Sequence, residues 1–277
     1  MLVFPNCKIN IGLKVLDKRE DGYHNIESLF LPVAIKDALE IIESKDQKDL
    51  VTFTSTGLAI DGKIDNNLCI KAYHLIEKDF PALPSIKMHL HKNIPMGAGL
   101  GGGSSDAAST LILLNNQFKL NLSQAQLMAY ALILGSDCPF FINDQPAFAT
   151  GRGEILEPFS INLSSYKIVL VYPSIHINTK DAFEGLKLQK ENFLQPSIKQ
   201  IISQPVTDWQ HQLKNDFEPP VFSKHPVLKQ IKNSFYKNGA TYASMSGTGS
   251  TMYGLFKKDV STAIKWDKRY FVTEHSL

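Results

Sequence analysis

The chain has 277 residues, 43% of them apolar and 20% charged, with a formal net charge of +2. That length accommodates one large domain or two smaller ones with a substantial core, and the composition is that of a soluble globular protein rather than a disordered or fibrous one. The near-neutral charge argues against nucleic acid as an obligatory partner, and no apolar run approaches the length of a membrane span.

Residues 2–16 read as a largely extended segment broken at Pro5. Val51-Thr-Phe-Thr-Ser55 and Ile86-Lys-Met-His-Leu-His-Lys92 alternate in hydropathy, with Ile86, Met88 and Leu90 on one face, and are expected as strands. Helices are expected over 67–79, 105–118 and 123–134, the last opened by Ser123 as its N-cap. After Pro158 the pattern restarts. Tyr166–Tyr172 reads as a short apolar strand stopped by Pro173; 179–186 and 226–238 read as helices, and Gly239 ends the second. Residues 242–245 and 251–256 are expected strands around the turn Ser246-Gly-Thr-Gly-Ser250, and Lys187–Pro205 reads as a polar excursion of loop and helix. Strands and helices that alternate irregularly predict an α+β chain.

Three cysteines, Cys7, Cys69 and Cys138, leave one over in any disulfide scheme and lack metal-ligand spacing. Reduced thiols in a cytoplasmic protein are the expectation. Pro5 and Lys8 fall where a signal peptide would carry its apolar core, which points the same way.

The densest chemical signal is Pro95-Met-Gly-Ala-Gly-Leu-Gly-Gly-Gly-Ser-Ser-Asp-Ala-Ala108, with Gly97, Gly99, Gly101, Gly102 and Gly103 inside seven residues. Glycine admits positive φ and lets a ligand approach the backbone without Cβ in the way. Ser104, Ser105 and Asp106 are residue types that cap helices, and Ala107, Ala108, Leu111, Ile112 and Leu114 recur at helical spacing. A glycine loop opening a helix aims N–H groups and the positive end of the helix dipole at one point, which suits phosphate. Three familiar glycine motifs do not fit. The dinucleotide fingerprint needs a strand after the helix, and residues 122–134 read as a second helix. A Walker A loop needs a lysine that is absent here, and the protein-kinase loop leads into a strand.

With Pro5-Asn-Cys-Lys8-Ile-Asn10-Ile-Gly-Leu13 before it and Ser244-Met-Ser246-Gly-Thr-Gly249-Ser250 after it, this loop resembles the second of the three motifs of the GHMP kinases. Within that superfamily, Asp21-Gly-Tyr23-His24-Asn-Ile-Glu-Ser-Leu-Phe30, Leu134-Gly-Ser-Asp137-Cys-Pro139-Phe140-Phe and Gly151-Arg-Gly-Glu154 resemble the branch that phosphorylates a cytidine diphosphate-linked methylerythritol. The resemblance runs from about Pro5 to Phe256. It implies an N-terminal domain over 1–158 similar to domain 2 of ribosomal protein S5, and a ferredoxin-like C-terminal domain over 159–277. It also implies ATP as phosphoryl donor with Mg²⁺, an alcohol acceptor in the non-mevalonate route to isoprenoids, and a monomer or homodimer free of nucleic acid and membrane.

On their residues alone, Asp137 reads as a turn cap and Lys8 as a strand lysine; the resemblance assigns them to the family's catalytic pair. An ammonium near Asp137 would keep the carboxylate ionised and stabilise a developing alkoxide. By the same resemblance ATP is held by Pro95, Met96, Gly97, Ala98, Gly99, Leu100, Gly101, Gly102, Gly103, Ser104 and Ser105, with Asn67 and Lys92 near the adenine or ribose. The acceptor falls to Asn10, Tyr23, His24, Phe30 and Thr179, with Ser246, Gly247, Thr248 and Gly249 closing on its phosphates. An aromatic ring beside an imidazole suits a pyrimidine, which offers a π-face and a polar edge. Two departures from the family pattern are minor: Thr248 stands where serine is frequent, and Cys7 replaces a smaller residue before Lys8. No dedicated metal ligands are assigned.

Overall fold

A computed structural model describes all residues except 46–48 and 187–195. Strands β1 (Leu2–Val3), β2 (Asn6–Lys18), β3 (His24–Lys36), β4 (Ala38–Glu43) and β5 (Val51–Gly57) precede helix α1 (Leu68–Asp79). Strand β6 (Ile86–Lys92) leads through the glycine loop to α2 (Gly102–Gln117), α3 (Gln124–Leu134) and the single turn α4 (Phe140–Asn143). Then come β7 (Ala147–Thr150), β8 (Ile155–Pro158), β9 (Tyr166–Tyr172), α5 (Thr179–Glu184), α6 (Ile198–Ile202), α7 (Trp209–Gln212), α8 (Glu218–Lys224) and α9 (Pro226–Lys237). Strands β10 (Tyr242–Met245), β11 (Met252–Lys257) and β12 (Phe271–Ser276) complete the order. The chain forms two compact units, one of residues 1–7, 34–96 and 101–145, the other of 8–33, 97–100 and 146–277.

The first unit holds a sheet of order β1-β4-β6-β5 in which β6 runs antiparallel to β4 and parallel to β5. Alternation in β4 and β6 sends Leu39, Ile41, Ile86, Met88 and Leu90 to one face, where they pack with Tyr73 and Ile76 of α1, Leu111 and Leu114 of α2 and Ala131 of α3. Each fully buried aliphatic side chain contributes roughly 1.5–3 kcal/mol. Helix α3 begins as its sequence dictates: Ser123 Oγ accepts the Gln126 N–H and Gln126 Oε1 accepts the Ser123 N–H, a capping box.

The second unit holds two four-stranded sheets, of order β2-β3-β7-β8 and β10-β11-β9-β12. The latter is antiparallel throughout and buries Val169, Val171, Met245, Met252 and Phe256 against Leu228, Ile231 and Phe235, the apolar stripe of α9. Pro226 opens α9, where its missing N–H costs nothing, and Gly239, at φ 89°, follows its C-cap.

Several elements escape the periodicity reading. Strand β3 carries Pro32, which argues against a strand, yet β7 pairs only with Ser28–Phe30 and so leaves Pro32 outside that ladder. Strands β4, β7, β8 and β12 and helices α7 and α8 were not expected. The excursion expected over 187–205 lies partly outside the described residues and includes α6 in its later part. The second helix starts at Gly102 rather than Ser105, because Gly101 itself takes the left-handed φ of 70° and acts as N-cap. Ser104 and Ser105 therefore sit inside the first turn and do not cap it.

Candidate active site

In the second unit the loop segment Gly97–Leu100 is tied down. The Lys8 N–H donates to Leu100 O at 2.9 Å and the Thr251 N–H to Ala98 O at 3.1 Å. Ser246 Oγ donates to Gly99 O at 2.7 Å and accepts the Asn10 N–H at 3.3 Å. The two glycine turns thus pack directly on one another: a Cβ on Gly99 would stand 2.2 Å from Ser246 O. Lys8 and Asn10, two apart on β2, share a face of the strand. Lys8 Nζ donates to Asn10 Oδ1 at 2.7 Å, Asn10 Nδ2 to Ser28 Oγ at 2.9 Å, and Ser28 Oγ to Gly12 O at 2.6 Å. The ammonium also lies 4.1 Å from the centre of the Phe30 ring. Lys8 is only 3% exposed. An amide oxygen and a ring quadrupole lower the cost of burying its charge. Gly247 closes the group, its Cβ position 3.4 Å from Asn10 Oδ1, while Thr248 is half-buried and Gly249 buried. Lys8, Asn10, Phe30, Gly99, Leu100, Ser246 and Gly247 form one cluster.

Tyr23 and His24 belong to the same unit. The Tyr23 N–H donates to Asp21 Oδ1 at 3.1 Å, the Arg19 N–H donates to Tyr23 O at 2.8 Å, and Gly22 between them takes φ 84°. This Asx-type turn presents the Tyr23 ring 52% exposed. His24, the first residue of β3, stacks on Phe183 of α5 with ring centres 4.6 Å apart, and Phe183 meets Phe217 edge-on at 4.8 Å. Burial, reinforced by the Lys18 charge, lowers the His24 pKa and favours the neutral imidazole. Thr179, exposed at the start of α5, lies one helical turn before Phe183. Phe183 escaped the sequence reading, although its spacing from Thr179 in a segment expected as helix would have placed both on one face.

In the first unit the expected site residues gather around the glycine-built start of α2. In that first turn the N–H groups of Gly102, Gly103 and Ser104 have no acceptor within the helix, since the Ser105 N–H is the first to bond back, to Gly101 O at 2.9 Å. Beside this turn opens a cavity of about 240 Å³, lined by Phe53, Ile60, Ile64, Asn67, Leu68 and Gly103 among others. Asn67 both lines it and caps α1, its Oδ1 accepting the Cys69 N–H at 2.9 Å. Of the remaining loop residues, Pro95 is buried and Met96, another cavity residue, is 39% exposed.

Lys92 ends β6 at the cavity wall, but its ammonium is engaged twice. It donates to Asp106 Oδ2 at 2.7 Å and pairs with Asp37 Oδ2. Asp37 Oδ1 in turn accepts the N–H groups of Asn93 at 2.6 Å and Ile94 at 2.8 Å. Burial would depress the Lys92 pKa, yet the two carboxylates outweigh it and raise it. Asp106 is pushed up to about 7, chiefly by burial, with Asp37 adding and Lys92 opposing. Asp37 and Asp106 were not among the expected site residues.

Asp137 is half-buried in the turn between α3 and α4. Its neighbour Cys138 is fully buried and shares a hydrogen bond with the Ser104 side chain, which sets this turn against the first turn of α2. Burial pushes the Cys138 and Cys7 thiols up to about 12, and all three cysteines are buried and outside any disulfide. Such thiols are inert packing groups.

The model of the GHMP kinases N terminal domain matches residues 67–152, and that of the GHMP kinases C terminal domain matches residues 197–265. Among curated relatives, a 4-diphosphocytidyl-2-C-methyl-D-erythritol kinase of Bacteroides thetaiotaomicron is 48% identical over 94% of this chain and 93% of its own length. One of the same name from Cytophaga hutchinsonii is 47% identical over 95% and 94%. A crystal structure titled 4-(cytidine 5'-diphospho)-2C-methyl-D-erythritol kinase superposes with a TM-score of 0.78 at 29% identity, covering 92% of this chain and 90% of that one. A Methanococcus jannaschii mevalonate kinase, at 12% identity and a TM-score of 0.70, shares the fold. The chain therefore belongs to the GHMP kinases and, within them, to the 4-diphosphocytidyl-2-C-methyl-D-erythritol kinase family.

Proposed function

We propose that this chain transfers the γ-phosphoryl group of ATP to the 2-hydroxyl of 4-diphosphocytidyl-2-C-methyl-D-erythritol, giving the 2-phosphate and ADP, a step of the non-mevalonate pathway to isoprenoid precursors. The observation that carries the reading is a largely apolar cavity ending at the glycine-built start of α2. A purine fits the cavity, and the N–H groups of Gly102, Gly103 and Ser104 suit its phosphates. Magnesium enters as part of the nucleotide substrate, riding on phosphate oxygens. Among the described residues no cluster of three His, Cys, Asp or Glu side chains could cage it independently.

Asp137 accepts the proton of the acceptor hydroxyl, and the Lys8 ammonium stabilises the alkoxide as it forms. Asn10 orients Lys8 through the 2.7 Å hydrogen bond, and Phe30 lies against the same ammonium. Tyr23 and His24, with Phe183 behind the imidazole, hold the cytosine. The nucleotide-binding domain is assigned to 1–158 and the C-terminal domain to 159–277, a boundary that falls between the two family-matched segments. The enzyme is read as cytoplasmic, monomeric or homodimeric and independent of nucleic acid and membrane; its three buried cysteines, none in a disulfide, fit a reducing compartment.

A coupled assay of ADP release with ATP and a panel of alcohols tests the reading. Turnover is expected with the cytidine diphosphate-linked methylerythritol and not with homoserine or mevalonate. Preference for either of the latter would reassign the acceptor while leaving the kinase class intact.

A further inference from the structure

The turn Gly151-Arg152-Gly153-Glu154 has no task in the scheme above, yet it is built with care. It joins β7 to β8, and the ladder that pairs Ser28 with Ala149 carries it alongside the start of β3, where the Ile26 N–H donates to Gly151 O at 2.7 Å. Gly151 takes φ 66°, and any Cβ there would meet the Glu154 carboxylate at 2.7 Å. That carboxylate accepts the Arg152 N–H and stands 3.7 Å from the guanidinium Nε, so it fixes the arginine at its base and along its side chain. The guanidinium carbon lies 4.5 Å from the centre of the Tyr23 ring. Arg152 Nε is buried without a hydrogen bond, its Glu154 contact at 3.7 Å being an ion pair only, so the ring contact adds to that pair at this end of the side chain.

An aromatic ring has two faces. With the guanidinium on one, the 52% exposure of Tyr23 leaves the other open. We propose that Arg152 is a positioning residue for the acceptor substrate: it covers one face of Tyr23 and holds the ring so that the opposite face receives the pyrimidine. This rests on the assignment of Tyr23 to the cytidine end. A guanidinium above the ring also restricts its rotation, so the base docks on a surface already ordered.

The test is steady-state kinetics on the full-length enzyme with ATP and the cytidine diphosphate-linked alcohol, each varied in turn. Arg152→Leu is expected to raise KM for the alcohol by about three- to tenfold, the scale of a partly exposed cation–π contact, with kcat and KM for ATP within about twofold of wild type. Arg152→Lys should recover most of the loss. In a Tyr23→Ala background Arg152→Leu should add nothing, because the arginine acts through the ring. Should the leucine variant fold poorly, Arg152→Gln keeps a polar side chain with N–H donors but removes the charge, and the same KM rise is expected. The proposal is overturned if Arg152 variants lower kcat or weaken both substrates alike, or if their effect persists undiminished without Tyr23. It is also overturned by a normal KM in Arg152→Leu when Tyr23→Ala alone raises KM. If Tyr23→Ala itself leaves KM unchanged, the assignment of Tyr23 fails first and the role of Arg152 falls with it.

Discussion

Gly103→Ala separates phosphate binding from folding more cleanly than any other change in the glycine loop. Gly103 is the second residue of α2, lies on the cavity wall, and has no positive φ; a Cβ added there meets nothing within 4 Å. In the free protein the methyl group is harmless, and alanine's better helix propensity should add about 0.5–1 kcal/mol, or about 1–3 °C in Tm for a chain of this size. Toward ATP the effect reverses. A methyl group among the N–H groups of the first turn keeps a phosphate from closing on them. Losing one charge-assisted hydrogen bond of about 1.5–3 kcal/mol raises KM for ATP by roughly 10- to 100-fold. Gly101 is a poorer probe, because at φ 70° any side chain strains the N-cap whether or not a nucleotide binds. The assay pairs thermal melting without nucleotide with steady-state kinetics at saturating acceptor. A variant with raised Tm and a KM for ATP within twofold of wild type would refute close approach of phosphate at this turn.

Lys8→Met and Asp137→Asn should each lower kcat, by about 10²–10⁴-fold for Asp137, while substrates still bind; the double variant should lose far less than the product of the two, and full additivity in a kcat cycle would show independent action. Replacing Tyr23 and His24 together with alanine should raise KM for the cytidine substrate and spare ATP, so an equal loss for both ligands counts against a base-recognition role. Asp106 should make stability fall with pH: its folded pKa of about 7 exceeds the unfolded 3.8, so the folded state keeps a proton that the unfolded chain has lost between those values. Melting of Asp106→Asn against wild type should therefore show the variant gaining from pH 4 to 7 and the difference levelling off above; a pH-independent difference would dismiss the buried proton. Lys92→Met should cost about 3–5 kcal/mol by leaving the buried Asp37 carboxylate without its cation, and denaturant midpoints near wild type would show that the network is not structural.

The sequence is most legible where one element answers to one local rule. Ser123 with Gln126, Pro226 with Gly239, and the alternation of Ile86, Met88 and Leu90 each specify their element within a few residues, and α3, α9 and β6 stand within a residue of where those signals put them. Strand β3 was not legible, because a proline is decisive only once it is known which neighbour a strand must pair with, and that depends on β7, more than a hundred residues on. The site divides the same way. The glycine-built start of α2 could be read from composition, since five glycines in seven residues ahead of an apolar-periodic run signal a loop that opens a helix. Side-chain partnerships could not: Phe183 behind His24, Arg152 on Tyr23 and Ser28 beneath Asn10 are set by tertiary register, and nothing in their own flanking residues announces them.

Lys92, expected near the adenine or ribose, ends β6 at the cavity wall with its ammonium already engaged. A phosphate approaching it would meet one buried ammonium already shared by Asp37 and Asp106. With its donors taken and its charge matched by Asp37, it has little left to offer an anion. The same three residues do something else well. Asp37 holds the backbone N–H groups of Asn93 and Ile94, and Asp106 sits in the second turn of α2, so Lys92 clasps the entry of the glycine loop to the helix that the loop opens. In the proposed scheme, positive potential for the phosphates falls to the backbone of Gly102, Gly103 and Ser104, which carries no counter-charge to be displaced. Lys92 would then act by fixing where those N–H groups point, and the glycines would make the contact.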